Sequence, residues 1–276
     1  MSVKIDPSGR RWIQVEAEVP GTPEQVWQAI ATGPGISSWF VPTDLEEGEG
    51  GTPESVVSHF GPGMDSTAKI TAWEPPHRFA KEGGDLGSSS PPLATEWIVE
   101  ARSGGTCVVR VVHSLFTSSD QWDDQLEGFE SGWPGYFRIL RLYLAHFRGL
   151  PCTSFQIMGM VPETESATWD AMTQALGLQD AAAGEHRTAP SGVPPFAATV
   201  ESISDGSKTH EVVLRLDEPA PGVATLGAYN WGGKVHVYAS FYLYGDRAPA
   251  VAVRDEPLWQ EWVKELFPAV ASGTSC

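Results

Sequence analysis

Two stretches, VPGTPEQVWQAI at 19–30 and VPETESATWDAM at 161–172, say nearly the same thing 142 residues apart (161 minus 19). A fixed offset of this kind marks a duplicated structural element and is read before any motif. The match extends upstream, where Ile13, Val15, Ala17 and Val19 fall on Phe155, Ile157, Gly159 and Val161. These positions alternate, as one buried face of a strand does. Downstream, Thr22 is placed as an N-cap, Pro23 suits the first helical position, and Gln25 completes a capping box with Thr22. Val26, Trp27 and Ile30 then form an apolar stripe at helical spacing, repeated by Trp169 and Met172. Each half therefore opens strand, tight turn, helix.

Length agrees with two domains. At 276 residues the chain is about twice a typical domain. Hydrophobic residues make up 41% and charged residues 19%, enough apolar material for packed cores and too little charge for disorder. The net charge of -17 opposes sequence-independent binding to nucleic acid or to anionic lipid, both of which need a basic surface. The start, MSVKIDPSGRRWIQVEAEV, lacks the apolar core of a signal peptide, and no run approaches the roughly 18 residues that span a bilayer. The expected location is cytoplasmic, with neither nucleic acid nor membrane as partner. Cys107, Cys152 and Cys276 lack zinc-site spacing and read as reduced structural thiols. No metal or cofactor is expected, because EEGEGG at 46–51 lacks the Lys-Ser/Thr of a phosphate loop.

The outward face of the opening strand differs between copies. It carries Glu16 and Glu18 in the first and Met158 and Met160 in the second. Carboxylates suit water and methionines suit burial, which predicts that this second face packs on the first domain or on a partner chain, such as a homodimer. After each opening helix come strand-like runs. They are ESVVSHF, STAKITAW, ATEWIVEAR and TCVVRVVHSLF in the first half, ending at Ser118-Ser119-Asp120. In the second, after an Ala/Gly/Pro-rich stretch at 181–197, they are AATVESI, HEVVLRLD, VATLGAYNW and KVHVYASFYLYG. EGGDLGSSSPP at 82–92 reads as a loop. A long helix follows Asp120, expected to kink at Pro134. Trp133, Tyr136, Phe137, Leu140, Tyr143, Leu144 and Phe147 give it one broad apolar side, with Arg138, Arg141 and Arg148 opposite. The closing helix in DEPLWQEWVKELFP reads as only about three turns.

Three segments, VPGTPEQVWQAIATGPGISSWF at 19–40, KITAWEPPHRFAKE at 69–82 and GFESGWPGYFRILRLYLAHF at 128–147, resemble in order and spacing the SRPBCC superfamily of START-like and birch-pollen-allergen-like proteins. More narrowly they are similar to its branch of activator of heat-shock-protein ATPase (Aha-type) homologues. The resemblance implies an α+β protein of two helix-grip domains, each a curved antiparallel sheet wrapped around a C-terminal helix. The first would span 1–150 and hold a cavity between sheet and helix. The second, 151–276, would be degenerate, with a short closing helix.

On that plan Trp39, Phe40, Trp73 and Trp97, with Trp133, Phe137 and Leu140 of the long helix, lie on elements that bound the cavity, a lining suited to an apolar or aromatic ligand. Aromatic stripes are usually core, and each is readable that way too. In TCVVRVVHSLF, Arg110 marks the wet face, so Cys107, Val109, Val111, His113 and Leu115 point inward. His113 there either orients a ligand, serves as a general base, or is a core histidine bonded to backbone. His236, Tyr238, Tyr242 and Tyr244 share one face of a strand in the second half, as a polar binding surface or a contact. Nothing resembles a nucleophile elbow, a paired-carboxylate site or a metal triad, so no catalytic residue is assigned. The expected function is non-catalytic binding of a small hydrophobic molecule. A protein-interaction module acting on a chaperone ATPase, and a cyclase- or dehydratase-like enzyme, are the alternatives the resemblance leaves open.

Overall fold

The computed structural model describes residues 3–48, 50–61, 63–83, 91–117, 119–206 and 209–268. Cys276, Ser118, Glu49 and most of the 82–92 loop lie outside the described residues. The chain divides into two compact units, Met1–Gly149 and Leu150–Cys276.

In the first unit, β1 (Lys4–Ile5), β2 (Arg10–Pro20), α1 (Pro23–Ile30) and α2 (Gly33–Ser37) precede β3 (Thr43–Glu47), β4 (Pro53–His59), β5 (Asp65–Glu74), β6 (Arg78–Gly83), β7 (Leu93–Arg102) and β8 (Thr106–Phe116). The last helix, α3 (Asp123–Leu142), runs on into a π turn at Tyr143–Phe147. The antiparallel sheet is ordered β1-β2-β8-β7-β6-β5-β4-β3, so the opening strand pairs with the last one. The capping box forms: the Gln25 amide donates to Thr22 Oγ1 (3.4 Å) and the Thr22 amide to Gln25 Oε1 (3.0 Å). Cys107, Val109, Val111, His113 and Leu115 are all buried on one face of β8. On the other, Arg110 bonds Glu16 and Glu100. β3 and β6 escaped the sequence reading because neither TDLEE nor RFAKEG alternates apolar with polar residues.

Helix α3 is tied down at both ends. At its start the Arg11 guanidinium forks onto the Asp123 carboxylate, Nε to Oδ1 at 2.7 Å and a second nitrogen to Oδ2. Leu126 is buried beside Ile13, Leu93 and Leu115. At its far end Arg141 donates twice to the Glu18 carbonyl (3.1 and 3.0 Å), and Arg148 donates to Gln25 Oε1 (2.8 Å). The helix passes unbroken through Pro134, and departure from α geometry comes later, at the π turn.

The second unit repeats this plan. Its elements are β9 (Cys152–Val161), α4 (Glu165–Ala175), β10 (His186–Thr188), β11 (Ala197–Gly206), β12 (Thr209–Glu218), β13 (Gly222–Trp231), β14 (Lys234–Tyr244) and α5 (Ala248–Leu266). The sheet order is β10-β11-β12-β13-β14-β9, again with the opening strand against the last. One expectation is corrected: the closing helix is not short. α5 has 19 residues against 20 in α3. The helix begins at Ala248, with a proline in its first turn, and carries Pro257 inside. The carbonyl that loses a donor to Pro257 is that of Val253, whose side chain is 79% exposed, so the break falls on the wet face.

Aromatic rings pack the inside of this unit beside its closing helix. Phe155 stacks on Phe241 (4.6 Å between centroids), Phe241 meets Trp259 (4.8 Å), and Trp259 meets Trp262 (5.5 Å). The void beside Trp259 is about 10 Å³, room for about one water. Met158 is 49% exposed and Met160 half-buried. His236, Tyr238, Tyr242 and Tyr244 occupy the face of β14 opposite the core residues Val237, Phe241 and Leu243. Trp259→Ala should cost about 3–5 kcal/mol, read as a lower urea midpoint for unfolding.

Candidate ligand cavity

The site lies in the first unit and starts from a short helix. Thr32 caps α2 by accepting from the Gly35 amide (3.1 Å). A Cβ at Gly35 would come within 1.9 Å of the Gln28 carbonyl oxygen, so only glycine allows α2 to fold back on α1. That turn delivers Trp39, whose indole donates to the Ala29 carbonyl (2.8 Å). Trp39 then meets Trp97 edge-on (5.9 Å), Trp97 meets Trp133 edge-on (5.0 Å), and Phe40 stacks on Trp133 (5.5 Å). Between these rings, the sheet and α3 lies a cavity of about 690 Å³.

Strand register sorts its wall into rungs. Phe79 on β6 pairs with Trp97 on β7, giving an aromatic rung. One step along, Lys81, Thr95 and His113 pair in turn across β6, β7 and β8. Thr43, Ser58 and Ser66 pair across β3, β4 and β5. All six of these polar residues line the cavity. A largely aromatic chamber thus carries two polar rungs.

His113 is 5% exposed and engaged at both ring nitrogens. The Trp133 indole N–H donates to Nε2 (2.7 Å), and Nδ1 lies 3.0 Å from Thr95 Oγ1. Burial first, and the Lys81 charge second, pull its pKa down to about 3. It is a neutral imidazole at physiological pH. The histidine is thus neither bonded to backbone nor offered as a base, because the lone pair at Nε2 is occupied.

The cavity opens where α3 has no side chains. Gly128 and Gly132, one helical turn apart, line it and are exposed. A Cβ at either would meet nothing within 4 Å. Opposite are Phe60, 46% exposed, and Asp65. Asp65 is held by His59, whose Nδ1 is 2.8 Å from its Oδ1 while Nε2 is 3.1 Å from Asp44 Oδ2. Those hydrogen bonds, Asp65 foremost and then Asp44, raise the His59 pKa.

Of the residues singled out in the sequence, Trp39, Phe40, Trp97, His113 and Trp133 come together on this wall, and Trp73, Phe137 and Leu140 do not. Trp73 packs against Trp27 of α1 (5.0 Å) and Phe79 (5.4 Å). Phe137 lies against Trp97 (6.2 Å) and Trp133 (5.7 Å), behind the lining. Leu140 is fully buried where α3 settles onto the sheet. Thr95 was missed although the alternation of Leu93, Thr95 and Trp97 signals its inward face. Lys81 was missed because β6 was.

The class this geometry defines is the helix-grip fold, in which an antiparallel sheet, its long opening strand paired with its last, clasps a terminal helix over a chamber. Residues 11–138 match the family described as polyketide cyclase / dehydrase and lipid transport. That match lies within the first unit, and the second unit repeats its topology, a long opening strand again pairing with the last strand. No curated protein matched the chain. Among solved structures, it is similar to the di-domain ARO/CYC BexL from the BE-7585A biosynthetic pathway, at 16% identity and a TM-score of 0.44, covering 95% of this chain and 100% of that one. CalU16 from Micromonospora echinospora aligns at 18% identity and a TM-score of 0.40 over 52% of this chain and 83% of its own. The Aha1 dimer from Colwellia psychrerythraea does so at 18% and 0.40 over 50% and 98%. Among the described residues, no helix is long and apolar enough to cross a membrane.

The two histidines predict opposite pH dependences. His113 titrates near 6.5 when unfolded and about 3 when folded. Its contribution is complete above 6.5 and fades as pH falls toward 3, by up to about 1.4 kcal/mol per pH unit. The His59 contribution is complete below its unfolded value of 6.5 and fades as pH rises through its raised folded value. Urea midpoints between pH 7 and 4 should fall less steeply in His113→Gln than in the parent.

Proposed function

We propose that the first unit binds a small hydrophobic molecule without transforming it, and that the second completes the structure rather than holding a ligand of its own. The observation that carries this reading is the aromatic-walled chamber of about 690 Å³, within the range of small-molecule sites. Burying roughly 300 Å² of apolar ligand surface at about 25 cal/mol/Å² gives about 7 kcal/mol before ordering costs. Apolar contact alone therefore supports micromolar affinity or weaker, and tighter binding needs a polar anchor.

The matched family's description also names cyclase and dehydrase. Such chemistry needs a proton acceptor facing the substrate; among the described lining residues, His113 has its acceptor nitrogen taken by Trp133 and Asp65 is paired with His59. Binding is the simpler use of this wall.

Native mass spectrometry of the protein purified from its own host should show a bound small molecule that leaves on denaturation and is absent from Trp133→Ala. A clean apo mass, together with no binding of a neutral fluorescent aromatic such as 1-aminoanthracene, would overturn the reading. The helix glycines give a second check. Gly132→Ala should raise stability by up to about 1 kcal/mol, since alanine is the better helix former. Gly132→Phe should fill the opening and weaken 1-aminoanthracene binding by about tenfold or more, roughly 1.4 kcal/mol.

A further inference from the structure

We propose that the ligand is a hydrophobic carboxylate, its anionic head held by the Thr95 hydroxyl and the Lys81 ammonium and its body lying among Trp39, Trp97 and Trp133. This rests on the binding function proposed above and names the chemical class that the same cavity selects.

The argument is one of hydrogen direction. An indole N–H can only donate, so the Trp133 contact at 2.7 Å requires Nε2 of His113 to be an acceptor. A neutral imidazole with a bare Nε2 carries its proton on Nδ1. That proton is donated to Thr95 Oγ1, 3.0 Å away. The Thr95 oxygen is thereby fixed as an acceptor toward His113, and its own O–H must point elsewhere. Thr95 is 4% exposed, and His113 is its side chain's one hydrogen-bond partner among the described residues. Thr95 lines the chamber. The chain Trp133 to His113 to Thr95 thus presents one aimed donor to whatever occupies the cavity.

Charge selects the acceptor. Lys81 stands directly across from Thr95 in the β6–β7 register, a spacing of about 5 Å between Cβ atoms. It too lines the cavity, and its positive charge is felt at His113. A hydroxyl donor beside an ammonium suits an anionic oxygen better than a neutral one, since hydrogen bonds to an ionised partner are roughly twice as strong. His113, kept neutral, neither repels Lys81 nor competes for the anion. Among the described lining residues the carboxylate is that of Asp65, which has its side chain 57% exposed and is paired with His59. The aromatic rung of Phe79 and Trp97 lies beside this donor pair, where the apolar body of such an acid would rest.

The test uses the full chain at pH 7.5 and two matched pairs of probes, 2-naphthoate with its methyl ester and dodecanoate with its methyl ester, titrated by tryptophan fluorescence and calorimetry. The acid of at least one pair should bind about tenfold or more tightly than its ester. The pair that responds distinguishes an aromatic from an aliphatic body. Lys81→Met should bring acid and ester within about twofold of each other. Thr95→Val should do the same and Thr95→Ser should restore the preference; if loss of the His113 acceptor unfolds Thr95→Val, the Lys81→Met comparison decides. Equal binding of acids and esters, or a preference that survives Lys81→Met, overturns the carboxylate assignment and leaves the binding function standing. Failure of all four probes overturns both.

Discussion

A helix laid on a sheet normally buries its apolar stripe along its whole length, and α3 is prevented from doing so by where it is fastened. The Arg11–Asp123 fork and buried Leu126 hold one end. Leu140, the Arg141 bonds to Glu18 and the Arg148 bond to Gln25 hold the other. Between these anchors the helix presents Gly128, Gly132, Trp133 and Tyr136 to a space instead of to the sheet. Interior glycines disfavour a helix by about 1 kcal/mol each relative to alanine, and here they keep the mouth of the chamber clear.

The same span explains why a polar chain sits inside an aromatic wall. Trp133 is the one α3 side chain that both stacks with the cavity rings and reaches a strand residue through its N–H. With both ring nitrogens of His113 satisfied, the group is buried without leaving an unpaired polar atom, the condition under which a buried network is tolerated. Its direction follows from the indole alone. Replacing Trp133 would change the aromatic wall and the tautomer of His113 together.

Much of this was legible in the sequence because it depends on local rules. The Thr22–Gln25 capping box, the alternation through TCVVRVVHSLF and the helical stripe through Phe137 and Leu140 are each specified within a dozen residues. What the sequence left open depends on pairing across strands. That Trp73 packs on Trp27 of α1 is a tertiary contact, and that Lys81, Thr95 and His113 form one rung follows from the β6–β7 and β7–β8 registers. Acidic β3 and short β6 carry no periodic signal of their own. The length of α5 was hidden because an interior proline reads locally as a boundary, although on a wet face it need not be one.

The duplication makes the site's chemistry readable by contrast. In the first unit Ile13 of β2 pairs with His113 of β8, and His113 pairs with Thr95 of β7. Shifting by the repeat offset takes Ile13 to Phe155, which pairs with Phe241 of β14, and Phe241 pairs with Ala224 of β13. The second unit therefore has phenylalanine where the first has histidine and alanine where the first has threonine. Phe241 stacks on Phe155 and meets Trp259 of the closing helix, and the void beside these rings is about 10 Å³. Both units solve the same packing problem with nearly equal closing helices, so a helix-grip sheet does not by itself impose a hollow. The hollow survives where the central rung is polar and partnered by the helix, because a hydrogen-bonded imidazole and hydroxyl gain nothing from further apolar contact, whereas a phenylalanine at the same position gains free energy by drawing its neighbours in.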